Sequence, residues 1–471
     1  MSLQIETLVN QTWDNAIIPG LFKYIEIPCK SPLFDAEWEK NGFIDKAMRL
    51  VVDWCRQQNI RGLQLTVHRL PGRTPLLVLE VPSDLPQTVL LYGHLDKQPE
   101  MSGWHEGLGP WTPVIQESRL YGRGGADDGY AVFASIAAIK ALQEQGLTHP
   151  RCVIVIEASE ESGSVDLPYY MEHIAEQVGT PDLIIGLDSG MGNYEQFWST
   201  TSLRGIVAGT LTVEILTEGV HSGAASGVVP SSFRLIRQLL SRIEDENTGE
   251  ILLSEFKADI PLQRIEEAKQ VAAVLGEKVH TDYPWIEGAK ASAIASHQLI
   301  LNRTWRSALS ITGVDGIPDL KNAGNVLRPK TALMLSMRVP PTTDPKQAGL
   351  ALKKVLEADP PHGAKVVFDF TKASPGWNAP AVAPWLADAI DTASHQYFGK
   401  PALFWGEGGS IPFMHMLGEK FPKAQFVITG VLGPHSNAHG PNEFLHIPAA
   451  KKLTCCVADL LHQADRIWRA S

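Results

Sequence analysis

Nothing in the 471-residue chain approaches the roughly 20 consecutive apolar residues of a membrane-spanning helix. The opening residues, Met1-Ser2-Leu3-Gln4-Ile5-Glu6, bring neither a basic stretch nor an apolar one behind it, so no secretory signal is evident and a cytoplasmic protein is expected. Cysteine is sparse: Cys29, Cys55, Cys152, Cys455 and Cys456 are odd in number and scattered, apart from one adjacent pair that cannot easily bridge, and they read as reduced thiols. No Cys-x-x-Cys occurs, which excludes a thiolate zinc site and a thioredoxin-like redox motif. Positive charge is in deficit, with 41 Lys and Arg against 52 Asp and Glu and a formal net charge of -11. That balance disfavours nucleic acid, whose phosphates need clustered cations, and favours small molecules as partners. No His-Glu-x-x-His is present, and neither Gly219 to Gly223 nor Gly408 to Pro412 has the Gly-x-Ser-x-Gly spacing of a serine nucleophile elbow. The Gly122 to Gly129 loop lacks Gly-Lys-Ser/Thr and contains two acids that would repel phosphate, so it is not a phosphate cradle.

What is present describes a globular protein: 44% hydrophobic and 20% charged residues with a mean hydropathy of -0.06. The length predicts two or three domains.

The residues that carry chemistry stand where apolar runs stop. Thr88-Val89-Leu90-Leu91 leads into Tyr92-Gly93-His94-Leu95-Asp96-Lys97-Gln98-Pro99, a strand ending in an imidazole and a carboxylate. Side chains alternate along a strand, so His94 and Asp96 are expected on one side, the carboxylate holding a ring that offers its other nitrogen to a metal. A His-x-Asp beside a turn, taken alone, is more often plain surface. Cys152-Val153-Ile154-Val155-Ile156 reads as a buried central strand and delivers Glu157, Glu160 and Glu161. Pro181 to Leu187 reads likewise and ends at Asp188. Between them, Gly122-Arg123-Gly124-Gly125-Ala126-Asp127-Asp128-Gly129 opens a helix with a stripe of Val132, Phe133, Ile136, Ile139 and Leu142, which puts Asp127 and Asp128 at its N-terminus. Acids and an imidazole at successive strand ends are expected where an open α/β sheet builds its site, at the carboxyl edge.

After Arg204-Gly205 the pattern changes to strands over Ile206 to Leu216, Ala332 to Val339 and Lys365 to Phe370, with helices over Ser231 to Asp245 and Lys346 to Glu357. This predicts a separate α+β layer. Residues 250–302 are poorly periodic, with helical spacing only around Leu262 to Val274. From Ala379 the chain returns to helix, Gly-rich loop, the strand Gln425 to Ile428 and a terminal helix over Pro448 to Trp468.

Together His94, Asp127, Glu161, Asp188 and a late histidine, accompanied by Asp96 and Glu160, form a mixed imidazole and oxygen set that suits zinc, manganese or cobalt. One closed tetrahedral site leaves acids over, whereas two metals about 3.5–4 Å apart sharing a carboxylate would use them all. Asp127 is the natural bridge, its direction fixed by backbone amides and the dipole of the helix it opens. Glu160 and Glu161 are adjacent and should point apart, one to a metal and one to water as general base.

Gly93-His94-Leu95-Asp96 with Gln98-Pro99, Gly122-Arg123-Gly124 with Asp127-Asp128, Glu160-Glu161, Asp188, Gly219-Val220-His221-Ser222-Gly223, Glu407-Gly408-Gly409-Ser410-Ile411-Pro412 and His439-Gly440-Pro441-Asn442-Glu443 occur in that order over nearly the whole chain. The set resembles the dinuclear metallopeptidases that include carnosine dipeptidases, carboxypeptidase G and aminoacylases, and is most similar to the branch containing cytosolic nonspecific dipeptidase. The resemblance implies an α/β catalytic domain over residues 1–205 and 376–471, with a central mostly parallel sheet flanked by helices, interrupted by an α+β lid and dimerisation domain over 206–375. It implies two divalent ions per chain, zinc first with manganese or cobalt as alternatives, His94 and Asp188 on one, Glu161 and His439 on the other, and Asp127 bridging. His435 competes with His439, but only His439 is followed three residues later by an asparagine, Asn442, as in the family. Asp96 would orient His94, the Asp127-Asp128 peptide would be cis, and Glu160 would be the base that takes a proton from a metal-bridging water and returns it to the leaving amine. His221 would stabilise the oxyanion in the other subunit of a homodimer, while Arg338, Asn325, Ser410 and Gly409 would hold the substrate's free carboxylate. The implied reaction is hydrolysis of dipeptides or short peptides, with deacylation of N-acyl amino acids or a glutamate-type carboxypeptidase activity as the alternative. One departure stands out: the family follows its paired aspartates with Lys-Gly, and here Gly129-Tyr130 follows.

Overall fold

The computed structural model describes residues 2–470, which divide into two units: residues up to Thr201 with Ala379–Trp405 and Met416 onward, and Ser202–Asn378 with Gly406–His415. The chain runs through helix α1 (Ile18–Ile25), helix α2 (Phe43–Gln57) and strands β1 (Gln64–His68), β2 (Leu76–Val81) and β3 (Thr88–His94). Helix α3 (Tyr130–Glu144), strands β4 (Arg151–Glu157) and β5 (Leu183–Gly186), and strand β6 (Trp198–Leu203) follow, the last leading out of the first unit. The second unit holds β7 (Gly205–Glu214), α4 (Ser232–Leu240), α5 (Leu262–Leu275), α6 (Ser296–Thr304), β8 (Ala308–Asp315), β9 (Lys330–Val339), α7 (Pro345–Glu357) and β10 (Lys365–Ser374). The return supplies α8 (Pro384–Phe398), β11 (Leu403–Glu407), β12 (Gln425–Ile428) and α9 (Ile447–Ala470).

In the first unit the main sheet is ordered β1-β2-β4-β3-β5-β12-β6. Its centre, β4-β3-β5-β12, is parallel, and antiparallel pairs lie to either side. β3 and β5 are buried throughout and β4 at all but its first residue, which is why they read as unbroken apolar runs: helices cover both faces of a parallel sheet. Helix α3 shows the same physics. Twelve of its residues are buried, from Tyr130 to Leu142, because it lies between the sheet and α9. All five cysteines are free and buried. No helix among the described residues is long and apolar enough to cross a membrane.

The second unit is an antiparallel sheet ordered β8-β9-β7-β10, covered on one face by α4 and α7. β7 alternates buried and half-buried along its whole length, the period of a one-sided sheet. Val207, Leu211, Leu335, Met337 and Phe368 from the strands meet Leu235, Leu239, Leu352 and Leu356 from the helices. Residues 250–302, which lacked a clear period, contain α5, a short turn of helix at Lys278–Thr281 and the start of α6. Their helices pack mainly on one another, and Tyr283, Trp285, Ile286 and Ile294 between them remain exposed, so no long amphipathic stripe was needed.

Candidate metal centre

β3, β4 and β5 are adjacent and parallel, so their carboxyl ends open on one edge of the sheet. His94 is the last residue of β3, Glu160 and Glu161 begin a short 3-10 turn just after β4, and Asp188 lies two residues past β5. Asp127 and Asp128 do not belong to helix α3, which starts at Tyr130. They have non-helical backbone angles and are joined by a cis peptide.

Asp127 faces two ways. Its Oδ1 is 3.3 Å from His94 Nε2 and its Oδ2 is 3.0 Å from His439 Nε2. His94 Nε2 is also 3.8 Å from Asp188 Oδ2, and His439 Nε2 is 3.3 Å from Glu161 Oε2. Two groups result, each with its donor atoms within 4.8 Å of one another: His94, Asp127 and Asp188, and Asp127, Glu161 and His439. His435 belongs to neither group and is exposed. Among the described residues no backbone amide donates to Asp127, where a helix N-terminus was expected to supply one. The His94 N–H donates instead to Asp128 Oδ2, at 3.3 Å.

The tautomer of His94 follows from its partner. Nδ1 lies 3.0 Å from the main-chain carbonyl of Asp96, and a carbonyl oxygen only accepts, so Nδ1 carries a proton and Nε2 is the nitrogen that faces the carboxylates. Nε2 is buried and has no hydrogen-bond partner among the described residues. A buried ring nitrogen facing two carboxylates calls for positive charge, which a proton or a metal can supply, and the donor set fits a divalent metal. The acid and base strengths express the same surplus of negative charge. Burial opposes the imidazolium of His94, but the carboxylates of Asp127, Asp96 and Asp188 outweigh it and hold its pKa well above the usual value. Against its own burial, Asp127 is held below the carboxylate range by His439 and His94. Glu160 is pushed well up by burial and then by Asp188, and Glu161 by burial and then by Asp127.

Asp96 faces the His94 ring and holds the paired glutamates as well. β3 stops at His94, so strand alternation does not reach Asp96, and its carboxylate is 3.5 Å from the His94 ring. The two carboxylate oxygens accept the main-chain N–H groups of Glu160 at 3.1 Å and Glu161 at 3.0 Å. The ring is oriented by the Asp96 carbonyl, and the carboxylate fixes the paired glutamates. Gln98 adds an Nε2 donor 2.6 Å from Glu161 Oε2.

Sequence reasoning missed several residues around these groups. Glu157, beside His94 in the sheet, accepts from Tyr92, Ser159 and Ser164, and burial, reinforced by Asp96, lifts it to about 7. An acid at the end of a fully apolar run was the available signal. Arg123 is bonded to Glu443 at 2.5 Å and to the Gly440 carbonyl at 2.7 Å, and Glu443 also accepts the Gly124 N–H at 2.9 Å. These contacts tie the loop of Asp127 to the loop of His439 across some 320 residues of sequence, a pairing that no local pattern announces. Gly129, where the family has lysine, packs against the Tyr24 ring and has no room for a Cβ.

The other anticipated residues lie in the second unit. His221 is exposed in a short strand paired with Val326, and the Ser222 N–H donates to the carbonyl of Asn325, itself exposed. Arg338, on β9, is half-buried, and burial lowers its pKa. Arg204 is near enough to feel the charges of Arg338 and Arg303, which add to burial in lowering its own pKa to about 10, and its Nε donates to the Gly408 carbonyl in the loop of Gly409 and Ser410.

A parallel-centred α/β sheet whose carboxyl edge gathers two imidazoles and several carboxylates around one shared aspartate defines a metallohydrolase. The model for peptidase family M20/M25/M40 matches residues 90–463, and the chain belongs to this family of metal-dependent peptidases. It is 26% identical over 404 residues to the cysteinylglycine-S-conjugate dipeptidase of Corynebacterium striatum, covering 83% of this chain and 85% of that one. It is also 26% identical over 398 residues to human Beta-Ala-His dipeptidase, covering 80% and 76%. Among solved structures, the dipeptidase Dug1p of Saccharomyces cerevisiae superimposes with a TM-score of 0.75 at 21% identity, covering 99% of both chains. Human carnosine dipeptidase 1 gives 0.74 at 21% identity, covering 99% of this chain and all of that one.

Proposed function

We propose that this protein is a two-metal dipeptidase that hydrolyses the peptide bond of dipeptides or short peptides bearing a free C-terminal carboxylate. The observation that carries the reading is Asp127, each of whose oxygens faces its own imidazole and further carboxylate. His94 and Asp188 would hold one ion, Glu161 and His439 the other, with Asp127 between them. Zinc fits this set, as do manganese and cobalt. When bound, the pair would polarise the scissile carbonyl and make water acidic enough to lose a proton near neutral pH. Glu160 is the residue to accept that proton, because Asp96 holds its amide beside the two donor groups while its neighbour Glu161 belongs to one of them, and it then returns the proton to the leaving amine. Asp96 keeps the two glutamates apart by holding both of their amides.

The dipeptidase names of the relatives support dipeptides as the substrate class. Arg338 would grip the carboxylate through its planar fork, aided by Asn325 and the backbone of Gly409 and Ser410. His221 would donate to the oxyanion in the partner of a homodimer. Buried, unbridged thiols and an acidic surface charge agree with a cytoplasmic setting.

The test is a panel of dipeptides, N-acyl amino acids and C-terminally cleaved peptides assayed with zinc, manganese and cobalt, on wild type, Glu160→Ala and Asp127→Ala. Dipeptide turnover abolished by chelator is expected, with Glu160→Ala inactive yet holding both metals and Asp127→Ala failing to hold them. Near-normal kcat in Glu160→Ala would overturn the assigned base, and turnover of N-acyl amino acids alone would move the protein to the deacylases.

A further inference from the structure

Lys97 has no part in the chemistry above, although it lies three residues from His94. Its side chain is wholly buried, and its Nζ donates to the carbonyls of Tyr24 at 2.8 Å, Ile25 at 3.3 Å and Ile27 at 2.9 Å. These are carbonyls at and just beyond the end of α1, where a helix leaves acceptors without intrahelical donors. The ammonium also lies 4.0 Å from the centre of the Tyr24 ring. Burial lowers its pKa to about 8, so it remains largely charged at pH 7.

The stem and the ring partner both press on the loop that carries Asp127. At Gly124 a Cβ would lie 2.7 Å from Cγ and Cε of Lys97, so the backbone runs directly along the lysine stem. At Gly129 the missing Cβ position is filled by the Tyr24 ring. Tyr24 in turn donates its hydroxyl to the Leu95 carbonyl at 2.7 Å, next to His94. The turn from Gly124 to Gly129 is thus gripped at one end by Lys97 and at the other by Tyr24, and the ammonium joins both grips to the end of α1.

We infer that Lys97 is a positioning residue for Asp127: it fixes the Gly124 to Gly129 turn so that both oxygens of Asp127 meet their imidazoles. The inference rests on the reading of Asp127 as the shared ligand.

The probe is zinc, titrated into metal-free full-length protein against a fluorescent chelator, with melting temperature followed in parallel. Lys97→Met keeps the stem and removes the ammonium, and is expected to weaken zinc binding by roughly 10–100-fold, the range seen when residues supporting a metal ligand are removed. Excess zinc should restore kcat to within a few-fold of wild type with KM unchanged. Leu461→Ala, a core deletion in α9, should lower the melting temperature without moving the zinc affinity. Tyr24→Leu releases the other grip and should also weaken zinc binding, and it decides the matter if Lys97→Met does not fold. Zinc affinity within two-fold of wild type in the folded variants would reduce Lys97 to a structural cation. Failure of the wild type to bind zinc would instead strike at the metal reading itself.

Discussion

Replacing Arg123 by methionine should destabilise the metal-free protein by an amount that grows with pH. Arg123 and Glu443 have side chains 1% and 0% exposed, 2.5 Å apart. Burial lifts the Glu443 carboxyl to about 7, with Arg123 opposing the rise and Asp127 adding to it. In the unfolded chain the group titrates near its ordinary value of about 4.5, so between about pH 4.5 and 7 the folded state holds the extra proton and wild-type stability falls as pH rises. Above 7 both states are ionised and this contribution is flat. Without the guanidinium the folded carboxyl moves higher still, and the fall continues at about 1.4 kcal/mol per pH unit. Near pH 6 the variant should lose the hydrogen bonds that Arg123 gives to Pro99, Gly440 and the then largely protonated Glu443, about 2–4 kcal/mol. By pH 9 a further ~3 kcal/mol should be gone, comparable to stranding one member of a buried ion pair. Urea unfolding of chelated protein at pH 6, 7.5 and 9 reads both components. Glu443→Gln in the same background should abolish the slope. A loss equal at pH 6 and pH 9 would show that Glu443 is not the group left stranded.

Asp96→Ala removes the shared acceptor of the Glu160 and Glu161 amides, each worth about 1–3 kcal/mol if left unmade. Its kcat at saturating metal should drop at least about tenfold, since Glu160 loses its fixed position, and unchanged kcat would return Asp96 to a purely structural role. Mixing His221→Ala with Glu160→Ala chains, each inactive alone, should restore partial activity if sites are shared across a homodimer. No recovery in demonstrably mixed dimers would sink that arrangement.

The strand ends were legible because parallel strands covered on both faces have no polar side to show. Cys152 to Ile156 and Leu183 to Leu187 could be little else, and the acids after them had to stand at the sheet edge. Periodicity misled at the start of α3, where the apolar stripe suggested a helix from Asp127 while the glycine-rich turn keeps both aspartates out of it. At Asp96 the strand has already ended, yet the carboxylate lies 3.5 Å from the His94 ring, on the side that alternation gave it. Lys97, Tyr24, Arg123 and Glu443 were invisible because each acts through a residue distant in sequence. In the 250–302 segment the spacing around Leu262 to Val274 was legible and is helix α5, while the rest stayed unreadable because its helices meet chiefly one another, leaving too few buried positions to set a period.

The sequence order of the two donor groups bears on how the centre comes into being during synthesis. His94, Asp127 and Asp188 are all made before the chain enters the second unit, whereas the group of Asp127 and Glu161 closes only with His439, supplied after the chain has returned from that unit. The sheet that carries both groups is itself completed late, because β12 takes its place beside β5 only from that returning segment. Asp127 thus ties the stretch before the inserted unit to the stretch after it, one oxygen facing His94 and the other His439.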